Sequence, residues 1–402
     1  MRDIEILSMK TMAKQIRGVS YKPEDLHNGP DSSSIMLLRA NNIDDGRINF
    51  EDVVYVDRKR VAPEQLLHKG DVLICSSSGS KSLVGKAATF ELDNEVEATF
   101  GAFCKVVRPN SIENMEYISF FFQSPYYRRK ISTAAIGVNI NNIRNEHIDA
   151  LKVRWPSEES RKSAVTLLSK TDKVIRYRKE ELKHLDDLIK ARFVEMFGDP
   201  VSNSKGWPMP PIEDVVSPEK NALKAGPFGS ALKKEYYVES GYKIYGQEQV
   251  ISGDSNYGDY YIDEERYKQL ENCAVQAGDV LISLVGTYGK LLIMPDCFEP
   301  GIINPRLMKI TFDKSKVNPH YFQYYFQSDS LKRSLADNTH GGTMDILNLG
   351  IVRKLKMPLP PIELQNEFVA FVAQVDKSKV AVQNALDEAQ LLFDSLMQQY
   401  FG

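Results

Sequence analysis

The sequence predicts an α+β fold built by internal duplication: two mixed, strand-rich domains, each followed by a long helix, with the two helices antiparallel. Three observations carry this. Ala164, Leu168, Ile175, Leu182, Leu185, Ile189 and Met196 fall on one alternation of three and four, the seam of a helix made to lie against another helix. Phe368, Val372, Val375, Val382, Leu386, Ala389, Phe393, Leu396 and Tyr400 repeat that seam at an offset of about 204 residues, the mark of a duplication. Met196-Phe197-Gly198 closes the first copy as Tyr400-Phe401-Gly402 closes the second. The boundaries that follow are 1–155 for the first domain, 156–200 for its helix, 201–360 for the second domain and 361–402 for the last helix.

In the first domain, Ser34 to Arg39 and Val53 to Val56 read as strands, with the polar turn Asn41 to Gly46 between them. Lys69-Gly70-Asp71 turns into a buried strand, Val72 to Ile74, which runs into the polar loop Cys75 to Ser82. Met115 to Lys130 reads as one helix, Ala134 to Arg144 as an Asn-rich connection and Ile148 to Val153 as a last strand. Ser157-x-x-Ser160 can cap the long helix. The prolines of Asp199-Pro200 and Trp207-Pro208 cannot continue a helix and mark the linker. The second domain repeats the plan: Gly278 to Ile282 copies Gly70 to Ile74, and Phe326-Gln327-Ser328 copies Phe122-Gln123-Ser124. The frames recur but the loops differ. Ser76 to Lys86 has no likeness to Leu284 to Lys290, nor Ala134 to Asn142 to Asn338 to Thr343, as expected of one binding task performed on two targets.

At 402 residues, 42% hydrophobic and 26% charged, the composition is that of a globular protein. No apolar run approaches the roughly 18 residues of a membrane span, and MRDIEILSMK lacks a signal-peptide core, so a cytoplasmic protein is expected. Cys75, Cys104, Cys273 and Cys297 lack C-x-x-C or ligand spacing, which predicts reduced thiols and no metal site. The net charge of -3 excludes a strongly basic, nonspecific DNA binder, so a nucleic-acid site must be a local patch. Candidates for backbone contact are Arg58, Lys59, Arg60, Arg128, Arg129, Lys130, Lys233 and Lys234.

Catalytic motifs are poorly represented. Gly79 to Lys86 departs from a phosphate loop, with five residues between its glycines and Ala87 where Ser or Thr should follow the lysine. Asn304-Pro305-Arg306 lacks the second proline and the aromatic of the amino-methyltransferase motif. The polar loops instead hold side chains suited to base edges, Asn and Gln to adenine, Arg and Lys to guanine, Thr to the thymine methyl. In the first domain these are Arg39, Asn41, Asn42, Ser78, Lys81 and Asn141; in the second, Gln247, Gln249, Thr287, Tyr288, Lys290 and Thr343. Each of these residue types also makes turns.

Five stretches, Arg17 to Asp25, Leu37 to Ile43, Gly226 to Lys233, Val285 to Lys290 and Pro358 to Gln365, resemble motifs of the specificity subunit of type I restriction-modification systems. The resemblance implies two target recognition domains, each reading half of a bipartite sequence in double-stranded DNA, held apart by two antiparallel helices in a coiled coil. It implies a non-catalytic subunit whose partners are two modification (methylase) subunits, which methylate adenine, and restriction subunits that translocate and cleave. No cofactor is expected on this chain, with S-adenosylmethionine, ATP and Mg on the partners. Trp155-Pro156-Ser157 departs from the Leu359-Pro360-Pro361 pattern, so the first helix is expected to start differently. A self-contained DNA-modifying enzyme and a helical adaptor are the alternative readings.

Overall fold

The computed structural model describes residues 4–80, 82–92, 96–134, 141–284, 290–337 and 347–402. The chain forms two compact units, 1–180 with 382–402 and 181–381, so each long helix gives one half to each unit. Among the described residues no helix is long and apolar enough to cross a membrane.

Unit 1 is built on a six-stranded sheet in the order Ala13–Arg17, Cys104–Pro109, Val72–Cys75, Ala87–Thr89, Gly46–Ile48, Ile43–Asp44. A second sheet orders Ala98–Phe100, Ser34–Leu38, Val54–Asp57 and Leu26–His27. Unit 2 repeats both in shorter form: Leu223–Ala225, Leu307–Ile310, Val280–Ser283, Leu291–Ile293, and then Tyr261–Ile262, Tyr242–Tyr245, Gly301–Ile303. The register matches rung by rung. Cys75 faces Cys104 as Ser283 faces Leu307, and the parallel rung Leu38–Phe100 answers Tyr245–Ile303.

That register explains two motif glycines with unrelated neighbours. Arg17 pairs with Lys105 and Ala225 with Met308, which puts Gly18 and Gly226 at the same place. A Cβ on Gly18 would lie 2.2 Å from the Gly101 carbonyl oxygen, and one on Gly226 would lie 1.9 Å from that of Asn304. Only glycine lets the backbone pass there.

The long helices span Glu158–Phe197 and Ile362–Phe401. In unit 1, Ala164 and Leu168 share a core with Met397, Phe401, Val72, Ile74 and Tyr117. In unit 2, Ile189, Phe193 and Phe197 share a core with Phe368, Val372, Val375, Ile282 and Tyr321. The start of one helix meets the end of the other in both units, which makes them antiparallel, as the seams predict.

The helix starts also correspond. Gln365 is fully buried; its amide donates to the carbonyls of Pro360 and Lys316, both at 2.9 Å, and accepts from Asn318 N–H at 2.9 Å. Arg161 holds that place in the first copy, donating to Pro156 O at 2.6 Å with its guanidinium 4.2 Å from the Trp155 ring centre. A stacked arginine therefore replaces the amide where the proline motif is missing.

Two expectations need correction. Met115 to Lys130 is two helices, Met115–Gln123 and Pro125–Ala134, because Pro125 forces Ser124 into extended geometry. Ile148 to Val153 begins in a short helix, Asn145–Asp149, and the strand is Lys152–Trp155, paired with Glu5–Ser8.

Candidate nucleic-acid interface

Each unit has a rim where three segments meet: the loop ending the parallel strand pair, the residues directly after the central strand (Ser76 to Ser78 in unit 1, Leu284 in unit 2), and the capped turn after Leu38 or Tyr245. In unit 1, Arg39 N–H donates to Asn42 Oδ1 at 2.8 Å, and Asn42 Nδ2 donates to the carbonyls of Asn49 and Asp52. In unit 2, Gly246 N–H donates to Gln249 Oε1 at 2.8 Å, and Gln249 Nε2 to Tyr257 O at 2.6 Å. Asn42 and Gln249 are both buried. The structure therefore corrects their assignment as base readers: their amides hold backbone, and they are the same turn-building device on each frame.

What they hold is partly or fully exposed. Arg39 Nη2 and Asn41 Nδ2 meet at Asp52 Oδ2, at 3.0 and 2.7 Å, so one carboxylate gathers two candidate readers. Gln247, inside the equivalent turn, donates from Nε2 to Ser283 Oγ at 2.8 Å and accepts at Oε1 from Arg306 Nη1 at 3.3 Å. Ser78 is cross-strand partner to Asn141, and Asn142 to Ser77, which brings two predicted loops into one ladder. Lys290 is exposed at the start of the strand after its loop. Lys81, Thr287, Tyr288 and Thr343 lie outside the described residues, as does the side chain of Asn141.

The rims carry aromatics that sequence reading missed. Phe103 is 71% exposed on the unit 1 rim, where its carbonyl accepts from the backbone of Ser76 and Ser77. Phe228, 89% exposed, lies two residues beyond the Gly226 crossing. An aromatic in a loop that contributes nothing to the core was the available signal.

The basic candidates divide. Arg128 donates to the carbonyls of Val84 at 3.0 Å and Ser82 at 3.2 Å, so it braces the loop after Ser78. Arg58 is engaged by Glu97 at 2.9 Å, a hydrogen bond that holds the Glu97 carboxyl below its ordinary value, and Arg60 by Asp25 at 2.9 Å. Lys233 is 3.5 Å from Glu235, and Lys130 lies over the Tyr126 ring. Lys59, Arg129 and Lys234 are exposed, and no ion pair engages them among the described residues.

Other titratable groups are structural. Asp71 receives Arg108 at 2.6 Å, and Asp279 receives Lys309 at 3.3 Å with Thr311, the same buried device after each motif glycine. Burial raises the Asp279 carboxyl, against the pull of Lys309. Cys75, Cys104 and Cys273 are buried thiols and Cys297 is exposed.

A family model described as type I restriction modification DNA specificity domain matches residues 226–389, beginning at the crossing glycine of the second frame. The specificity subunit of the type I restriction enzyme EcoKI from Escherichia coli K12 is 28% identical over 432 aligned positions, covering 98% of this chain and 88% of that one. The StySPI specificity subunit of Salmonella potsdam is 27% identical, covering 98% and 87%. Residues 226–389 therefore match a type I specificity domain, and along nearly its whole length the chain is similar to type I specificity subunits. Its fold agrees with theirs. The S subunit from M. genitalium superposes with a TM-score of 0.54 at 12% identity, covering 100% of this chain and 96% of the other. A chain from a solved type I restriction-modification system gives 0.58 at 16% identity, covering 99% and 97%. The rung-by-rung repeat carries the same fold through unit 1, outside the segment matched by the family model.

Proposed function

We propose that this chain is the sequence-specific DNA-binding subunit of a type I restriction-modification system. Its domains, 1–155 and 201–360, each read half of a bipartite target in double-stranded DNA, and the helices of 156–200 and 361–402 space them. Two methylase subunits and the restriction subunits are brought to that target. The chain itself does no chemistry; S-adenosylmethionine, ATP and Mg belong to the partners, which methylate adenine, translocate and cleave. The setting is cytoplasmic.

The observation that carries this reading is that the two rims are the same in backbone register and different in side-chain chemistry. Arg39, Asn41 and Phe103 occupy the first, Gln247, Ser283 and Arg306 the second. A common frame with divergent rims fits two half-sites of different sequence.

The seat for partners lies on the long helices. In unit 1, Leu167, Val174 and Tyr177 fall within about a quarter turn of one another on the first helix and are exposed, as are Leu391 and Leu392 on the second. Lys179, on the same helix, is taken by Asp45 at 2.7 Å.

The net charge of -3 leaves few phosphates that this chain can neutralise, and phosphate neutralisation supplies much of the affinity for DNA. Tight specific binding is therefore expected only with methylase subunits present. The test is a titration at physiological salt of the isolated chain, then of the reconstituted complex, against cognate and scrambled duplexes. Weak binding by the chain and discrimination by the complex is the expected result. Nanomolar discrimination by the isolated chain, or base methylation without partner, overturns this division of labour.

A further inference from the structure

The two rims share one position whose occupants could hardly differ more. Leu284 N–H donates to Arg306 O at 2.9 Å just as Ser76 N–H donates to Phe103 O at 2.9 Å, and both rungs continue from Ser283–Leu307 and Cys75–Cys104. Arg306 and Phe103 are therefore structural equivalents. One presents a planar fork of hydrogen-bond donors, the other an apolar ring.

Arg306 is not a loose surface arginine. Its backbone N–H donates to Asn304 Oδ1 at 2.9 Å, which fixes the turn. Its Nη1 donates to Gln247 Oε1 at 3.3 Å, and Gln247 is in turn tied to the buried Ser283 hydroxyl at 2.8 Å. The side chain is exposed, and no carboxylate pairs with it among the described residues, in contrast to Arg39, Arg58 and Arg60. A guanidinium that is aimed by one face and uncompensated keeps its other N–H donors for a ligand. In the major groove, guanine offers two acceptors, O6 and N7, at the spacing of that fork.

We propose that Arg306 is a base-reading residue of the second domain, positioned by Gln247 to donate to O6 and N7 of a guanine in that domain's half-site. At the equivalent place in the first domain Phe103 offers no donor, so the two half-sites differ in chemistry there. This rests on the DNA-reading function proposed above. It also redefines Gln247 as a positioning residue, because its amide is turned to Arg306 and Ser283.

The experiment selects from a randomised duplex pool with the full chain reconstituted with its methylase subunits, using wild type, Arg306→Ala, Arg306→Lys and Gln247→Ala, each checked for an unchanged thermal melt. Wild type should require G at one position of one half-site. Arg306→Ala and Arg306→Lys should each lose that preference by about ten- to a hundredfold, the value of a bidentate contact, with the other half-site unaltered. Arg306→Lys keeps the charge, so its salt dependence and its affinity for duplexes lacking that G should stay close to wild type. Gln247→Ala should weaken the preference at that same position only. Wild-type base preference in both Arg306 variants overturns the inference and leaves the DNA-reading function standing. So does a uniform loss over all sequences in Arg306→Ala, with the salt slope lowered by about one, which marks a phosphate contact. A wild-type complex that enriches no sequence removes both.

Discussion

Gln365 joins the second recognition domain to its helix, and removing it should cost more than any surface change on that domain. The side chain is 0% exposed and makes three bonds of 2.9 Å, one accepted from Asn318 N–H and two donated, to Lys316 O and Pro360 O. Gln365→Ala leaves a buried N–H without its acceptor and two carbonyls without donors, and opens a space where the amide was. A stranded buried polar group costs about 1–3 kcal/mol, and carbonyls that keep a second lone pair cost less, so the total is about 2–4 kcal/mol. For a unit of roughly 200 residues that lowers the melting temperature by about 4–16 °C. The chain has two tryptophans, Trp155 in unit 1 and Trp207 in unit 2, so fluorescence in a Trp155→Phe background follows unit 2 alone. Gln365→Met, which keeps the volume, should lose nearly as much, because the bonds dominate. Arg161→Met, at the half-buried equivalent, should cost under about 1.5 kcal/mol, the ordinary worth of one hydrogen bond. A Gln365→Ala protein whose Trp207 transition lies within about 0.5 kcal/mol of wild type would refute the reasoning.

Phe193→Ala should destabilise unit 2 by about 3–5 kcal/mol, because its ring packs on Phe197 at 5.1 Å, Phe368 at 5.5 Å and Tyr321 at 5.8 Å; urea titration measures it, and a loss under about 1 kcal/mol contradicts the packing. Arg192 and Glu367 form an ion pair across the helices at 3.2 Å. Cysteines at both positions, with Cys297→Ser, should therefore crosslink within one chain through a short bismaleimide, and exclusively intermolecular products would argue against antiparallel pairing. In the first domain, hydrogen bonds from Ser33 and His27 hold the Asp31 carboxyl down to about 2. Its folded value is below the ordinary 3.8, so what it adds to the loop is present above about pH 4 and lost as pH falls through about 2. An NMR titration of Asp31 centred near 3.8 would show that this network does not form in solution.

Much of the architecture was legible because a duplication repeats whatever packing requires. The helical seams, Gly70 with Gly278, and Ser124 with Ser328 all answer to backbone or core constraints, and both copies keep them. Tyr117 donates to Arg154 O and Tyr321 to Pro358 O, the same bond twice. Less legible was what only three dimensions decide. Asn42 and Gln249 differ in length and in flanking sequence, and nothing short of the capped turn shows them to be one device rather than base readers. The equivalence of Gly18 and Gly226, or of Phe103 and Arg306, is set by strand register, which alignment by motif does not reveal. Arg128 reads as part of a basic cluster, yet its geometry is decided by the carbonyls of Ser82 and Val84. The exposed Leu167, Val174 and Tyr177 escape a search for apolar seams because they lie off the seam.

The central claim is that two equivalent frames read two independent half-sites, and exchanging one frame tests it most directly. Residues 1–155 are replaced by the corresponding segment of another specificity subunit, and the hybrid, reconstituted with its methylase subunits, is presented with a randomised duplex pool. The account predicts that one half of the selected sequence changes to that of the donor while the other half is retained. A folded hybrid that loses recognition of both halves, or changes both together, would contradict it.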